Sequence, residues 1–425
     1  MNSHRLIALA LLGTATAIAI PTFAQRAPDS GPVARYDMRA GTTSGFGMGG
    51  GMGGMMSMMM GGRGGSQIQH ELLLRLGSSS TAANGKPKAD HFMPDAARLG
   101  KSVALATPRE ERGPVDKLPE FEEPSGRMLI FWGCGEHAPK GQPVIIDFSK
   151  LARGQVPPGV WTSSVPADWG PNLQNSKTFG RWPAEDGKYV KGDSSLLGAH
   201  RVAGNYSPDI AFTLTKDFMK PLSVKTAGQA SGASLLSWGG VRDATGYFAS
   251  LFGSKQGPGG KTGDIVMWSS SSNRQFGGGL SDWLSPGQVA PLVKDKTVMT
   301  PQTTTCLVPA EVIAAASDFR MGTLTAFGPE ENFSYPPRPA DAKARWDLQW
   351  TARIRHRSTT SWMEAQGMNM GMMSAAGEDD GDVDEGEAPR TASQSKKECK
   401  PKKSGGLFGG LAGAVLGGAG GGNGC

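Results

Sequence analysis

Signatures of catalysis are missing from this chain of 425 residues. There is no Gly-x-Ser-x-Gly elbow to expose a nucleophilic serine, no His-Glu-x-x-His pair for a catalytic zinc, and no Cys-x-x-Cys for thiol exchange. Cysteine is scarce, at four, and none lies near residue 24, which excludes an N-terminal lipoprotein. Charge of either sign is nearly balanced. The 44 Lys and Arg against 38 Asp and Glu leave +6, spread along the chain, which excludes a nucleic-acid footprint. No segment of a dozen residues has a 3.6-residue apolar period, so a helical architecture is excluded too.

What is present begins with an export signal. Arg5 precedes an apolar run from Leu6 to Ile20, and Pro21 ends it. Thr22-Phe23-Ala24 places small residues before a cut after Ala24, the order a signal peptidase needs. The run is shorter than the roughly 20 residues of a spanning helix. Residues 1–24 are therefore expected to be a cleaved signal peptide, the alternative being an uncleaved anchor. The mature chain is expected in the periplasm, at the outer membrane or outside the cell. That compartment permits disulfides. Cys134 and Cys306 lie in β-like sequence and Cys399 and Cys425 in the tail, and four cysteines allow three pairings. A Cys134–Cys306 bridge is expected, worth about 4–5 kcal/mol in the chain-entropy account. Two buried free thiols are the alternative.

The composition changes along the chain. Residues 25–66 read as a disordered Met/Gly-rich linker, because glycine at that density costs too much backbone entropy to order. Ile68, His70, Leu72, Leu74 and Leu76 then alternate with polar residues, a strand pattern in which Leu73 implies cover on both faces. Arg127–Trp132, Val144–Phe148 and the set Ile210, Phe212, Leu214 are further strands, joined by long Pro-, Gly- and Ser-rich connections. The fold class is all-β, with two β-sandwich-like domains expected at 67–220 and 221–360. Residues 361–403 read as a Met-rich, then acidic and basic, disordered tail, and 404–425 as a glycine-zipper-like tail.

In the second domain, Ser234–Trp238 is a strand, Gly239-Gly240 a turn, and Ala244–Phe252 a second strand. A core Trp late in one strand and a Tyr early in the next resembles the B and C strands of a fibronectin type III-like β-sandwich. Phe319–Phe327, followed by Gly328-Pro329-Glu330-Glu331-Asn332, is similar to that family's F strand and its exit loop. The resemblance covers roughly residues 221–335. It implies a spacer or binding module, and fold alone does not fix function. Residues 253–300 are longer and richer in Gly and Ser than such a module requires. The domain closes on Trp346, Leu348, Trp350, Ala352 and Ile354, alternating with Asp347, Gln349, Arg353, Arg355 and Arg357. Three arginines in a row suit phosphate or an acidic polysaccharide. The expectation is nonetheless a solvated face that discourages edge pairing.

Methionine is the most chemically pointed residue. Met52, Met55, Met56, Met58, Met59 and Met60 lie in one segment, and Met368, Met370, Met372 and Met373 in another. Thioethers are soft ligands suited to Cu(I) or Ag(I), and they outlast thiols in an oxidising compartment. No His is interspersed, and the same runs also read as adaptable low-complexity surface. No other cofactor is expected. Gly405, Gly409, Gly413, Gly417 and Gly421, four apart, point to a membrane-surface contact or self-association, against a plain flexible tail.

Three lookalikes fail on inspection. Gly257–Thr262 lacks the first glycine of a phosphate loop, with Lys255 in its place. Asp380, Asp382 and Asp384 lack the later glycine and glutamate of a calcium loop. Cys134 with His137 is better explained by disulfide formation than by a thiolate–imidazole pair. Trp161, Trp169, Trp182 and Trp283 lie in loop-like sequence where they could stack on sugars, but nothing singles out a carboxylate pair such as one containing Asp282. The leading expectation is an exported, non-catalytic cell-envelope protein that binds an envelope component or builds structure. A soft-metal binder is the alternative, and a glycan-acting enzyme the third.

Overall fold

In the computed structural model the described residues are 31–45, 68–82, 85–108, 126–155, 170–184, 188–255, 263–275, 279–341 and 343–365. They are predominantly β. The strands are β1 (Ala34–Gly45), β2 (Gln69–Ser78), β3 (Ala89–Phe92), β4 (Ser102–Ala104), β5 (Arg127–Trp132), β6 (Val144–Asp147), β7 (Thr178–Trp182), β8 (Tyr189–Lys191) and β9 (Gly198–Gly204). They continue with β10 (Ile210–Leu214), β11 (Val224–Gly228), β12 (Ser234–Trp238), β13 (Gly246–Lys255), β14 (Asp264–Ser269), β15 (Thr305–Val308), β16 (Phe319–Tyr335) and β17 (Trp350–Ala365). Short helices are α1 (Phe148–Ala152), α2 (Pro286–Lys294) and α3 (Ala310–Ala315). No helix among the described residues is long and apolar enough to cross a membrane.

One ten-stranded sheet forms the spine, in the order β6-β5-β14-β13-β16-β17-β1-β2-β7, with β8 also paired to β2. Two smaller sheets pack on it. The sheet β10-β9-β3-β4 closes a first core containing Tyr36, Met38, Leu72, Leu74, Val202 and Ile210. The sheet β11-β12-β15 closes a second, containing Leu129, Trp238, Tyr247, Trp268 and Leu324. The expected strand alternations are reproduced closely. His70, Leu72, Leu74 and Leu76 are buried on β2, and Ile210, Phe212 and Leu214 on β10, whereas Ile68, the first of the expected set, precedes β2 and is exposed.

Three expectations are corrected. The span 25–66, read as a linker, contains β1, which sits in the interior of the spine between β17 and β2. Both its faces are buried, so Asp37 and Arg39 lie inside with Tyr36 and Met38, and an inside-apolar, outside-polar pattern does not describe it. The exit loop read at Gly328–Asn332 is strand instead. β16 passes through it with a bulge between Phe327 and Glu330, where Pro329 needs no ladder N–H. Residues 361–365, read as tail, complete β17. β5 and β6 join β14, whereas β1 and the start of β17 serve the first core.

The expected bridge is present. Cys134, just after β5, is joined to Cys306 on β15 with 5.3 Å between their Cα atoms. It ties the spine to the three-stranded sheet across the second core and closes a sequence separation of 172 residues.

Candidate functional site

The start of β17, with β1 and β16 beside it, builds a cleft of about 360 Å³. Register explains its floor. Arg35 on β1 pairs with Thr351 on β17, which pairs with Ser334 on β16, and one step along, Asp37 pairs with Arg353 and Arg353 with Asn332. Six polar side chains thus form two rows across three strands. Trp346 and the Gly170-Pro171 segment supply walls. The Trp346 indole donates to the Pro336 carbonyl at 3.0 Å, and Arg338 lies 5.8 Å from its ring centre. Arg35 donates to the Asn175 carbonyl at 2.9 Å, which fixes its guanidinium against the wall.

Beneath the cleft lies a buried ionic lock. Asp37 accepts from Arg355 at 3.0 Å through both carboxylate oxygens, from Arg39 at 2.9 Å and from Arg353 at 3.0 Å. Burial pushes the Asp37 carboxyl up. The guanidiniums of Arg355, Arg39 and Arg353 override it and hold its pKa below the ordinary carboxylate value. Asp282 reaches Arg39 as well, at 3.4 Å, so the ion pairs set two carboxylates against three guanidiniums and the floor keeps a net positive charge.

A strap over residues 280–285 roofs the far end of the lock. Arg355 donates to the Trp283 carbonyl, Arg357 donates to Ser281 and to Glu71, and the Arg357 guanidinium lies 4.0 Å over the Trp283 ring. Gly41 sits below that ring, where a Cβ would lie 2.8 Å from Trp283, so only glycine fits under the strap. α2 anchors the strap. The Ser285 hydroxyl accepts from the Gln288 N–H, the Gln288 side chain accepts from the Ser285 N–H, and Pro286 opens the helix. Val289 and Leu292 then pack with Phe248 and Phe327.

The arginine row on β17 is therefore not the solvated face expected from sequence. β17 is an interior strand, and the strap and Asp37 cover Arg355 to 2 % exposure. Arg353 alone of the three lines the cleft.

A second polar chain runs through the first core. His200 Nε2 is 2.7 Å from the Leu196 carbonyl, which can only accept, so that nitrogen carries the proton. His200 Nδ1 then accepts from His91 Nε2 at 3.0 Å, and His91 Nδ1 accepts from the Tyr36 hydroxyl at 2.6 Å. The direction of every bond follows from that one carbonyl, and it requires both rings neutral. Burial lowers both pKa values, that of His91 strongly, with His200 adding to the shift.

The other sequence candidates fall as follows. Met52, Met55, Met56, Met58, Met59, Met60, Met368, Met370, Met372 and Met373 lie outside the described residues, as do Trp161, Trp169, the phosphate-loop lookalike, the acidic run and the glycine-spaced tail. Trp182 and Trp283 are buried. Cys134 is in the disulfide, and His137 pairs with Glu311 at 3.1 Å instead. Among the described residues no group of three His, Cys, Asp or Glu is placed to hold a metal ion. The cleft itself was missed. Its signal, the alternation of Arg35, Asp37 and Arg39 with Tyr36 and Met38, lay in a segment discounted for its glycine. No family model matches the chain, and neither a curated protein nor a solved structure matches it.

Proposed function

We infer that this is an exported, non-catalytic binding protein of the cell envelope whose cleft takes an acidic polysaccharide. The observation that carries this is the pairing of Arg35 and Arg353 with a Trp346 wall above a floor of net positive charge. Guanidiniums suit carboxylate or sulfate groups, an indole suits the apolar face of a sugar, and Asn332, Ser334 and Thr351 suit hydroxyls. Asp37, the carboxylate lining the cleft, is held ionised between guanidiniums and has no proton to donate, which argues against its use as a general acid. The experiment is calorimetric titration with a uronic-acid oligosaccharide and a neutral glucan of equal length. The acidic ligand is expected to bind, more weakly as salt rises, and Arg35→Ala to weaken it about tenfold, the loss of roughly one charge-assisted hydrogen bond. Equal binding of both glycans, or none, contradicts the reading.

The strand order β11-β12-β15 facing β14-β13-β16-β17 supports the fibronectin type III-like resemblance of the second half. It is the arrangement expected of strands A-B-E against C′-C-F-G. The Trp238 and Tyr247 rings, 5.7 Å apart in the second core, lend further support to that resemblance.

One observation favours soft-metal binding as a second reading. β1 and β17 run parallel with Gly45 opposite Ser361, so the segments holding Met48–Met60 and Met368–Met373 both leave from the same end of the spine. Met321 and Met363 are cross-strand partners there. Ag(I) titration of the full chain is expected to show tight binding that disappears on deletion of 47–60 and 366–373. Unchanged stoichiometry in the deletion removes this reading.

A further inference from the structure

The strap and the cleft occupy one end of the spine's outer face, and a different chemistry occupies the other. In register across six neighbouring strands lie Met363, Met321, Phe252, Met267, Ile130 and Val144. Alternation places this row on the face opposite the second core. Phe252, Met267 and Val144 pack there with the cluster of Met128, Ile130, Ile146 and Phe148, whereas Leu251, Val266 and Trp362 belong to the core side. Ile130 is buried, but Met363, Met321, Phe252, Met267 and Val144 are only half covered. The result is an apolar stripe, half of it methionine. It spans five interstrand steps, or about 24 Å at the usual ~4.8 Å spacing.

We propose that the stripe is the docking track for the chain's own residues 366–373. Three observations converge. Continuity is the first: the stripe starts at Met363, and β17 ends two residues later at Ala365, at the stripe's corner. Length is the second: residues 366–373 number eight, and eight extended residues reach about 26 Å at ~3.3 Å each. Chemistry is the third: Gln366-Gly367-Met368-Asn369-Met370-Gly371-Met372-Met373 carries four methionines. Unbranched thioethers fill irregular apolar surface and contact aromatic rings well, and Phe252 lies mid-stripe. The N-terminal methionine segment is the poorer occupant. It leaves from Gly45 on β1, on the side of β17 away from the stripe.

Docking shields the stripe's thioethers from oxidants, which gives the test. The full-length chain, in metal-free buffer with chelator, is exposed to limiting hydrogen peroxide, and sulfoxide at each methionine is followed by peptide mass spectrometry. Two variants are compared: deletion of 366–373, and the full-length chain carrying Met368→Ser, Met370→Ser, Met372→Ser and Met373→Ser. Met267 and Met321 are expected to oxidise at least fivefold faster in both. Met38, at 0 % exposure in the first core, stays reduced in all three and reports that the fold is intact. Unchanged rates at Met267 and Met321 in either variant overturn the proposal. So does a rise produced only by deleting 47–60, which makes the N-terminal segment the occupant.

Discussion

Replacing Asp37 by Asn is expected to destabilise the folded chain by about 3–5 kcal/mol, the range for removing one partner of a buried ion pair. The side chain is isosteric, so little packing is lost. What goes is the one negative charge shared by Arg39, Arg353 and Arg355, two of which are almost completely buried. Their desolvation was offset by Asp37, and an amide oxygen offsets far less of it. Asp282 supplies the control. It also faces Arg39, but at 3.4 Å and with its side chain 45 % exposed, so Asp282→Asn is expected to cost less than about 1 kcal/mol. Urea unfolding of the two variants measures the contrast. A shift of midpoint with unchanged slope is a change in stability, and equal midpoints for the two would show that the lock is not where the buried charge is balanced.

Acid is the second large lever. Burial lowers the pKa of His70, His91, His200 and His356, and pushes that of His356 down to about 4 against the pull of the Glu331 carboxylate 3.9 Å away. In the unfolded chain each imidazole takes its proton near pH 6.5. Above that pH neither state is protonated, and these groups leave stability independent of pH. Below it the unfolded chain binds protons that the folded chain refuses, so stability falls until the pH passes each folded pKa. For His356 alone that amounts to about 3 kcal/mol by pH 4. The other three act in the same direction, and a protonated His91 or His200 also breaks the one-way chain from Tyr36 to Leu196. Asp37 adds to the loss at lower pH, because its depressed pKa stabilises the fold only while it stays ionised. Urea midpoints measured from pH 8 to 4 are expected to be level down to about 6.5 and then to drop steeply. A level profile down to pH 4.5 would mean that these rings are not buried neutral.

Much of the fold was legible in sequence because β-alternation is local. β2, β10 and β12 each bury one face against one core, and their side chains say so. β1 was hidden for the converse reason. It is covered on both sides, its polar residues are bonded to one another, and a glycine-rich run follows it. The bulged second half of β16 was hidden by Gly328-Pro329, which reads as a loop until a bulge accommodates it. The bridge was legible because Cys134 and Cys306 are the two cysteines in strand-like sequence, whereas Cys399 and Cys425 lie in the tail. The cleft was not. It is assembled by register among β1, β16 and β17, and nothing local records which strands become neighbours. The arginine row shows the same limit: its composition was read correctly, but its cover comes from residues 280–285.

The interior position of β1 also sets an order of events. Its partner Arg353 is separated from Asp37 by 316 positions in the chain. A ribosome delivers β1 early and β17 late, so throughout synthesis Tyr36 and Met38 wait for a neighbour that does not yet exist. Contacts of such long range close slowly, and the edge of β1 that awaits β17 is meanwhile adhesive. The spine is therefore a post-synthetic structure. Neither core can be completed vectorially from one end, and a chain cut short before Trp350 lacks the strand that the two cores share.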